Sequence, residues 1–460
     1  MLTYKTQRAS LFAYTVFDKM MPNDKLSRLD SLLDFSIIYE KAKKYYCPDN
    51  GRPSHDPVVM FKILFLGFLY NISGEQNLLD EVSDRASFRQ FIGLDLTDDI
   101  PDRTTLVKFR MKLGLELIQN FFDYVLQQCI SLNLVGFQNS VFDGTVIRAK
   151  ARMKSGRDPR YVGDLVKKKA KKYCQEYYEI NNDDTYVNLT KTEYPKKRKN
   201  AKRDTKRTEK MIKLPTGQLF SKGDPDAKFT KRDGKAILGY QVGYKTDIKE
   251  GIITNVVTIP ANQNIGEEYY QILTTESRDE QITADKEFYR NKILKHCDDN
   301  GIKCNIPIKA NIPTNRVLDK SHFKYSKRKD HYLCPQGKIL SRKQVHRNEE
   351  EIYYQANPKD CQRCSIKEKC TTGKQRTVAR SFYEGLYQKH KAYTKTPGYL
   401  KAQILRKIIA EGKFNEAKNH LGLKLARYVG LTMMKLQAFF TACVQNCARL
   451  LRIVTAGGTI

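Results

Sequence analysis

The segment Gln281-Ile-Thr-Ala-Asp285, followed by a helical stretch to about Asn300 and the apolar run Ile302–Ile308, constrains this fold more than any other part of the chain. Strand, helix and strand in that order build a parallel pair through a right-handed crossover, which sets Asp285 at the carboxyl end of its strand. Ser140-Val-Phe-Asp-Gly-Thr-Val-Ile147 gives a further strand signal, with β-branched and aromatic residues around Asp143. Ala236–Tyr244 and Ile252–Ile259, joined through Asp247, Lys249, Glu250 and Gly251, read as an antiparallel pair. Together these segments require a mixed α/β core.

Helices flank that core. From residue 25 to about 135 the periodicity is helical, and Asp56-Pro57 is a helix start with Asp as N-cap and Pro in the first helical position. The following apolar run, Val58–Tyr70, is interrupted by Lys62 and falls short of the roughly 20 residues that span a bilayer, so it reads as a buried helix. Ser73-Gly-Glu75 breaks it, Asn77–Phe91 reads as another amphipathic helix, and Asp102-Arg-Thr-Thr105 offers capping oxygens to Leu106–Leu113. Such a front is either a DNA-binding module or a bundle that supports the core or mediates dimerisation. Leu400–Val454 is again mostly helical. The domain plan is a helical front (1–135), the first part of the core with a basic insertion at about 165–213 (136–310), a Cys-bearing insertion (311–395) and a helical end of the core (396–460).

Charge names the class of partner. Lys and Arg number 82 against 51 Asp and Glu, a net charge of +31, and a field of that sign spread over a folded surface suits a polyanion. The basic runs Lys167–Lys169, Lys171-Lys172 and Lys196-Lys197-Arg198-Lys199 have few apolar neighbours to form a core; they read as phosphate contacts or as a solvated insertion. No secretory signal is visible at the N-terminus, so a cytosolic location and reduced thiols are expected for the eleven cysteines. Cys361-x2-Cys364-x5-Cys370, with Cys334 upstream, has the number and spacing of a four-thiolate zinc site, in a region that reads as too polar to fold readily on its own. Four thiolates leave no open position for water, so that zinc would be structural. The remaining seven cysteines read as unrelated thiols.

Phosphodiester cleavage by two divalent ions about 4 Å apart needs clustered carboxylates from separate elements. Asp143 on a strand, Asp285 at a strand end and Glu411 on a helix meet that requirement. Taken singly, each reads as an ordinary turn former, cap or solvated ion-pair partner. Glu411 and Lys418 lie seven residues apart, close to two helical turns, and so share a face; Glu416 sits about 140° round the helix from Glu411.

The wording around these acids resembles the insertion-sequence DDE transposases of bacteria and archaea, of the IS-four/IS-five-like superfamily, along most of the chain. Ile100-Pro-Asp-Arg-Thr-Thr-Leu-Val-Lys-Phe-Arg110 looks like the N-terminal signature, and Phe142-Asp-Gly-Thr145 like the first catalytic strand. Asp224-Pro-Asp-Ala227 with Gly239-Tyr240 resembles the link to the hairpin, Ala284-Asp-Lys286 the second acidic motif, and Glu411 with Phe414 and Lys418 the third. Glu287, Lys407 and Asn262–Asn264 depart from the family's usual residues. The resemblance implies a ribonuclease H-like fold, with Asp143, Asp285 and Glu411 as ligands of Mg²⁺ or Mn²⁺ and Lys418 beside the scissile phosphate. It also implies Lys407 and Arg110 as DNA contacts, to which the basic run adds Lys196, Lys197 and Arg198, and a homodimer that acts on double-stranded DNA at terminal inverted repeats and at target; charge and the N-terminus point to the cytoplasm, at the nucleoid, with no membrane partner. A transposase-derived DNA-binding protein without catalysis, or a nuclease on the same fold, would be written in similar residues.

Overall fold

The computed structural model describes residues 2, 10–20, 25–47, 53–151, 212–213, 219–221, 223–232, 234–276, 278–308, 318–347 and 350–456. They fall into two compact units: Met1–Gly136, Asp143–Ile265 and Ile409–Ile460 form the first, and Phe137–Phe142 with Gly266–Ile408 the second.

The first unit opens with seven helices, α1 (Leu11–Met20), α2 (Lys25–Leu32), α3 (Ser36–Ala42), α4 (Pro57–Leu69), α5 (Glu75–Asp84), α6 (Ala86–Ile92) and α7 (Arg103–Ser131). Their starts follow the sequence: the Asp56 carboxylate accepts from the Val58 amide at 2.7 Å and that of Asp102 from the Thr105 amide at 3.0 Å. Helix α4 has no polar face, and eleven of its thirteen residues are buried. The single amphipathic helix expected over Asn77–Phe91 is two helices, because Arg85 is extended between them and its guanidinium lies over the Phe88 ring at 5.0 Å. The segment expected to end near Leu113 instead runs on to Ser131, since the buried stripe continues through Leu117, Phe121, Val125 and Cys129.

Strand β1 (Asn139–Arg148) carries the sheet. In the first unit it runs antiparallel to a long strand, with the Ala149 amide donating to the Leu238 carbonyl at 2.9 Å. Between them in sequence lie the two-residue strands β2 (Ile212–Lys213) and β3 (Leu219–Phe220), which pair with each other, and β4 (Lys228–Arg232). The long strand, β5 (Lys235–Asp247), pairs with β4 through its first residues and with β6 (Ile253–Pro260) through the rest, both antiparallel. At Gly239 a Cβ would lie 1.9 Å from the Ile147 carbonyl oxygen, so only glycine lets β5 approach β1 here.

In the second unit the first residues of β1 run parallel to β7 (Gln281–Ala284), which runs parallel to β8 (Lys303–Asn305). Helices α8 (Ile265–Glu276) and α9 (Asn291–Asp299) follow β6 and β7 in the chain, so α9 is the crossover expected after Asp285. A separate antiparallel sheet has the order β13-β12-β11-β10-β9, made of β9 (Lys324–Ser326), β10 (His331–Leu333), β11 (Ile339–His346), β12 (Glu351–Ala356) and β13 (Thr377–Ser381). Short helices α10 (Pro358–Gln362) and α11 (Lys367–Cys370) link β12 to β13, and α12 (Glu384–Tyr393) and α13 (Pro397–Asn419) follow. The region around the cysteines, too polar by composition to fold readily, does build a core, from Phe323, Tyr332, Leu340, Tyr354 and Val378, with the hydroxyls of Tyr325 and Tyr354 both donating to Asp330.

From residue 409 the chain returns to the first unit and ends in α14 (Leu431–Ala456), which packs on α7, β6 and α4. Phe440 stacks on Phe68 at 4.6 Å, and the Asn446 amide both donates to and accepts from the Ile253 backbone at 2.8 Å. Arg427 caps the far end of α4, donating to the Gly67 and Ile72 carbonyls over the face of Phe68. Among the described residues no helix is long and apolar enough to cross a membrane.

Lys62, the one charge inside the apolar run, is 3% exposed. Its ammonium pairs with Asp30, donates to the Phe91 carbonyl at 2.8 Å and lies over the rings of Phe35 and Phe91. Burial holds its pKa below the usual lysine value, and Asp30 opposes that shift. Removing one partner of such a pair costs more than replacing the ion with a hydrocarbon. Asp30→Ala is therefore expected to destabilise the protein by about 3 kcal/mol, the low end for a buried pair because part of Asp30 stays in water, while Lys62→Met changes stability little. Urea unfolding of both variants checks this; equal losses would refute it.

Candidate catalytic and metal sites

Asp143 sits in the middle of β1, half-buried, between residues whose burial fixes the strand. In the second unit Phe142 stacks on Tyr269 at 4.1 Å and meets the Phe288 ring edge-on at 5.0 Å, which anchors the strand immediately before the acid. In the first unit Gly144 keeps the space beyond it narrow, since a Cβ there would stand 3.1 Å from the Ile265 side chain. Asp285 follows β7 directly and caps a short 3-10 turn, accepting from the Lys286 amide at 2.6 Å. The last register pair of the two parallel strands is Phe142 with Ala284. Asp143 and Asp285 are the residues that follow this last pair in the chain.

Helix α13 presents Glu411 on an exposed face, with Lys418 two turns further on and half-buried. Glu416 is engaged elsewhere. It accepts from the Gln445 amide at 2.8 Å, and Gln445 also donates to the Lys413 carbonyl, which ties the end of α13 to α14. This geometry leaves Glu411 as the acid of that helix available to a ligand. The Lys418 ammonium is held below the usual lysine pKa by burial first and then by Arg232, while Asp143 pulls it upward and Lys424 pushes it down again. With three cations and one carboxylate, the net charge around this ammonium is positive and favours an anion such as a phosphate oxygen. Lys407 is exposed on α13 in the second unit.

The structure corrects Arg110. Its side chain is buried, ion-paired with Glu75 and stacked on the Tyr428 ring at 3.8 Å, so its charge is satisfied inside the fold and it offers nothing to DNA. Lys196, Lys197 and Arg198, with the rest of the basic stretch up to Met211, lie outside the described residues, as does Cys174.

Sequence reasoning misses the polar network at the ends of β7 and β8. Asn305, fully buried, donates to Thr283 at 3.3 Å and accepts from the Tyr393 hydroxyl at 2.8 Å, and Gln403 of α13 donates to the carbonyls of Asn305 and Ala284. These bonds seat the start of α13 against the strand that leads into Asp285. The one signal in the sequence is Asn305 itself, a polar residue inside the apolar run Ile302–Ile308.

The four cysteines gather around one buried thiol. Burial pushes the Cys370 thiol up, Arg376 pulls it down, and Cys361, Cys364 and Cys334 add smaller upward pushes. Cys334 begins a tight turn in which its sulfur accepts from the Lys338 amide at 3.3 Å and Gly337 takes φ +74°. Even so, among the described residues no group of three or more His, Cys, Asp or Glu side chains is close enough to share a metal ion, and this holds for the three carboxylates as for the thiols.

Comparison with known proteins finds transposase domains in two stretches of the chain. The family description "Transposase domain (DUF772)" matches residues 15–112 and "Transposase DDE domain" matches residues 333–451. These two matches, one in each half of the chain, support an insertion-sequence DDE transposase. Among solved structures it is similar to a piggyBac transposase synaptic complex with hairpin DNA, at 10% identity and a TM-score of 0.24, over 98% of this chain and 82% of that one.

The Lys418 environment has a measurable cost. A lysine whose pKa is lower folded than unfolded binds fewer protons in the native state, so stability rises with pH between the lowered value and the ordinary one, and at neutral pH the charge is destabilising. Lys418→Met is expected to raise the melting temperature at pH 7 by no more than about 2 °C. The gain should shrink towards pH 10.5, where the native lysine has shed its proton. Melting curves at the two pH values test this; no stabilisation at pH 7 would contradict it.

Proposed function

We infer that this chain binds the ends of its own insertion sequence and catalyses strand cleavage and strand transfer on a ribonuclease H-like core. The observation that carries this reading is the parallel register of Asn139–Phe142 with Gln281–Ala284 in the second unit, each stretch being followed in the chain by an acid, Asp143 and Asp285. It is supported by the strand arrangement around β1, antiparallel to β5 in the first unit and parallel to β7 and then β8 in the second. Within the first unit, Lys418 feels the charge of Asp143.

In this reading Asp143, Asp285 and Glu411 are the acids of the site. Hard carboxylate oxygens suit Mg²⁺ or Mn²⁺, which would lower the pKa of an attacking water and offset charge at the phosphate. In cleavage the water oxygen bonds to phosphorus, the P–O3′ bond breaks and the leaving 3′-oxygen takes up a proton as the water loses one. In transfer the freed 3′-hydroxyl oxygen bonds to a target phosphorus, the target's own P–O3′ bond breaks, and the proton lost by the attacking hydroxyl is balanced by one taken up by the target 3′-oxygen that leaves. Lys418, with Arg232 and Lys424 near it, would hold a phosphate oxygen, and Lys407 the backbone beyond. Two element ends must be brought together, so a homodimer on double-stranded DNA in the cytoplasm follows. Asp143→Ala should abolish cleavage of DNA carrying the element's inverted repeats with Mg²⁺ or Mn²⁺ while leaving binding intact; cleavage that survives the substitution would sink the assignment. Cleavage by the unaltered chain without strand transfer would point to a nuclease, and binding without cleavage to a DNA-binding derivative.

The four cysteines are proposed as a structural zinc site, since soft thiolates with a Cys-x2-Cys turn suit that ion and the sulfur of Cys334 already accepts a backbone amide. Elemental analysis of the purified chain should find about one zinc per protein. Less than half an equivalent would count against it.

A further inference from the structure

We propose that the outer face of the small sheet β9–β13 is a second nucleic-acid surface, one that grips duplex DNA by its phosphates at the tip of the β9–β10 hairpin. The inference rests on DNA being the partner of this chain, but it concerns residues outside the acids and α13.

The register separates the two faces of this sheet. Tyr325, Tyr332, Leu340 and Ala356 align across four strands on the inner face, over the core that holds Cys370. The adjacent rows, Ser326-His331-Ser341-Gln355-Thr377 and Lys324-Leu333-Ile339, lie on the opposite face. None of those residues is buried, and Ile339 is 54% exposed. A sheet face on which, among these described residues, none is buried and which carries Ser, Thr, Gln, His and Lys side chains beside Leu333 and Ile339 suits a hydrated, charged partner better than an apolar one.

The charges of the segment divide in the same way. Residues 318–381 hold sixteen Lys and Arg against seven Asp and Glu. Some of the cations are occupied within the unit: Arg376 donates to the Cys370 and Leu318 carbonyls, Arg380 lies over the Tyr325 ring at 3.8 Å, and Arg342 pairs with Asp330 at the surface. Others are not. Lys327, Arg328 and Lys329 form the exposed tip of the hairpin, Lys343 is the extra residue where β11 shifts register, and Arg347 ends that strand; all five are exposed. Among the described residues none of the five has an ion-pair partner. The tip is held rigid beneath them, because Asp330 (φ +44°) accepts hydrogen bonds from Tyr325 and Tyr354. A fixed turn that offers three adjacent cations loses less side-chain freedom on meeting phosphates than a loose lysine run would.

The test uses the full chain without divalent metal and a generic duplex of about 30 base pairs as probe, with affinity measured across salt concentrations. Every phosphate that a variant no longer neutralises should flatten the slope of log affinity against log salt by about 0.9. Lys327→Gln/Arg328→Gln/Lys329→Gln should flatten it by about 2 to 3 and weaken binding about tenfold or more at moderate salt. The control Lys295→Gln/Lys303→Gln/Lys391→Gln removes the same charge from exposed positions elsewhere in the second unit and should leave the slope unchanged. A tip variant that behaves like the control overturns the proposal alone. An unaltered chain that does not bind the duplex overturns the DNA reading and this surface with it. Lys343→Gln/Arg347→Gln, two exposed changes away from the turn, should give a smaller flattening of the same sign, so a folding defect in the hairpin cannot imitate the result.

Discussion

Backbone pairing along β1 is the constraint on which the rest depends. This one strand has an antiparallel neighbour in the first unit and a parallel neighbour in the second, and its acid stands where the two pairings meet in sequence. Both neighbours come close because nothing obstructs them: Gly239 has no Cβ to strike the Ile147 carbonyl, and the Phe142 ring is stacked against Tyr269. A strand buried on this scale cannot slip by one residue without turning Val141 and Ile147 outward and Asp143 to the wrong side. The position of the acid is therefore set by packing.

The cations divide into two populations with different physics. Lys62, Arg110 and Arg427 each lie over an aromatic ring and fasten helices together; Lys62 and Arg110 are buried and neutralised by carboxylates, while half-buried Arg427 donates to backbone carbonyls. Lys418 belongs to neither the core nor the surface: it is partly desolvated among like charges, an arrangement that disfavours the free protein and is relieved by an anion. The excess of +31 thus overstates what is available at the surface in some places and understates how concentrated it is in others.

What the sequence makes legible is local. Asp56-Pro57 and Asp102 announce their helices because a cap is a contact over two or three residues, and the strand-helix-strand order after Gln281 follows from periodicity. What escapes is long-range. Gln403 meets the Asn305 carbonyl across 98 residues, and no spacing rule connects them. Arg110 is misjudged from sequence for the same reason: its charge cannot be discounted until Glu75 and Tyr428 are seen to enclose it. The segment around the cysteines looks too polar for a core because part of that core is Tyr332 and Tyr354, with Tyr325 packed against them, and tyrosines count as polar in a composition and as apolar in a sheet.

That tyrosine core has an optical consequence. The chain contains 27 tyrosines and no tryptophan, so its intrinsic emission comes from phenol rings alone. A carboxylate that accepts a phenolic hydrogen bond quenches the ring, and Asp330 does this to Tyr325 and Tyr354 at once, from beneath the hairpin tip. These two rings should therefore be dark while the small sheet is folded and brighten when it opens, which gives this part of the chain a built-in signal of its own integrity.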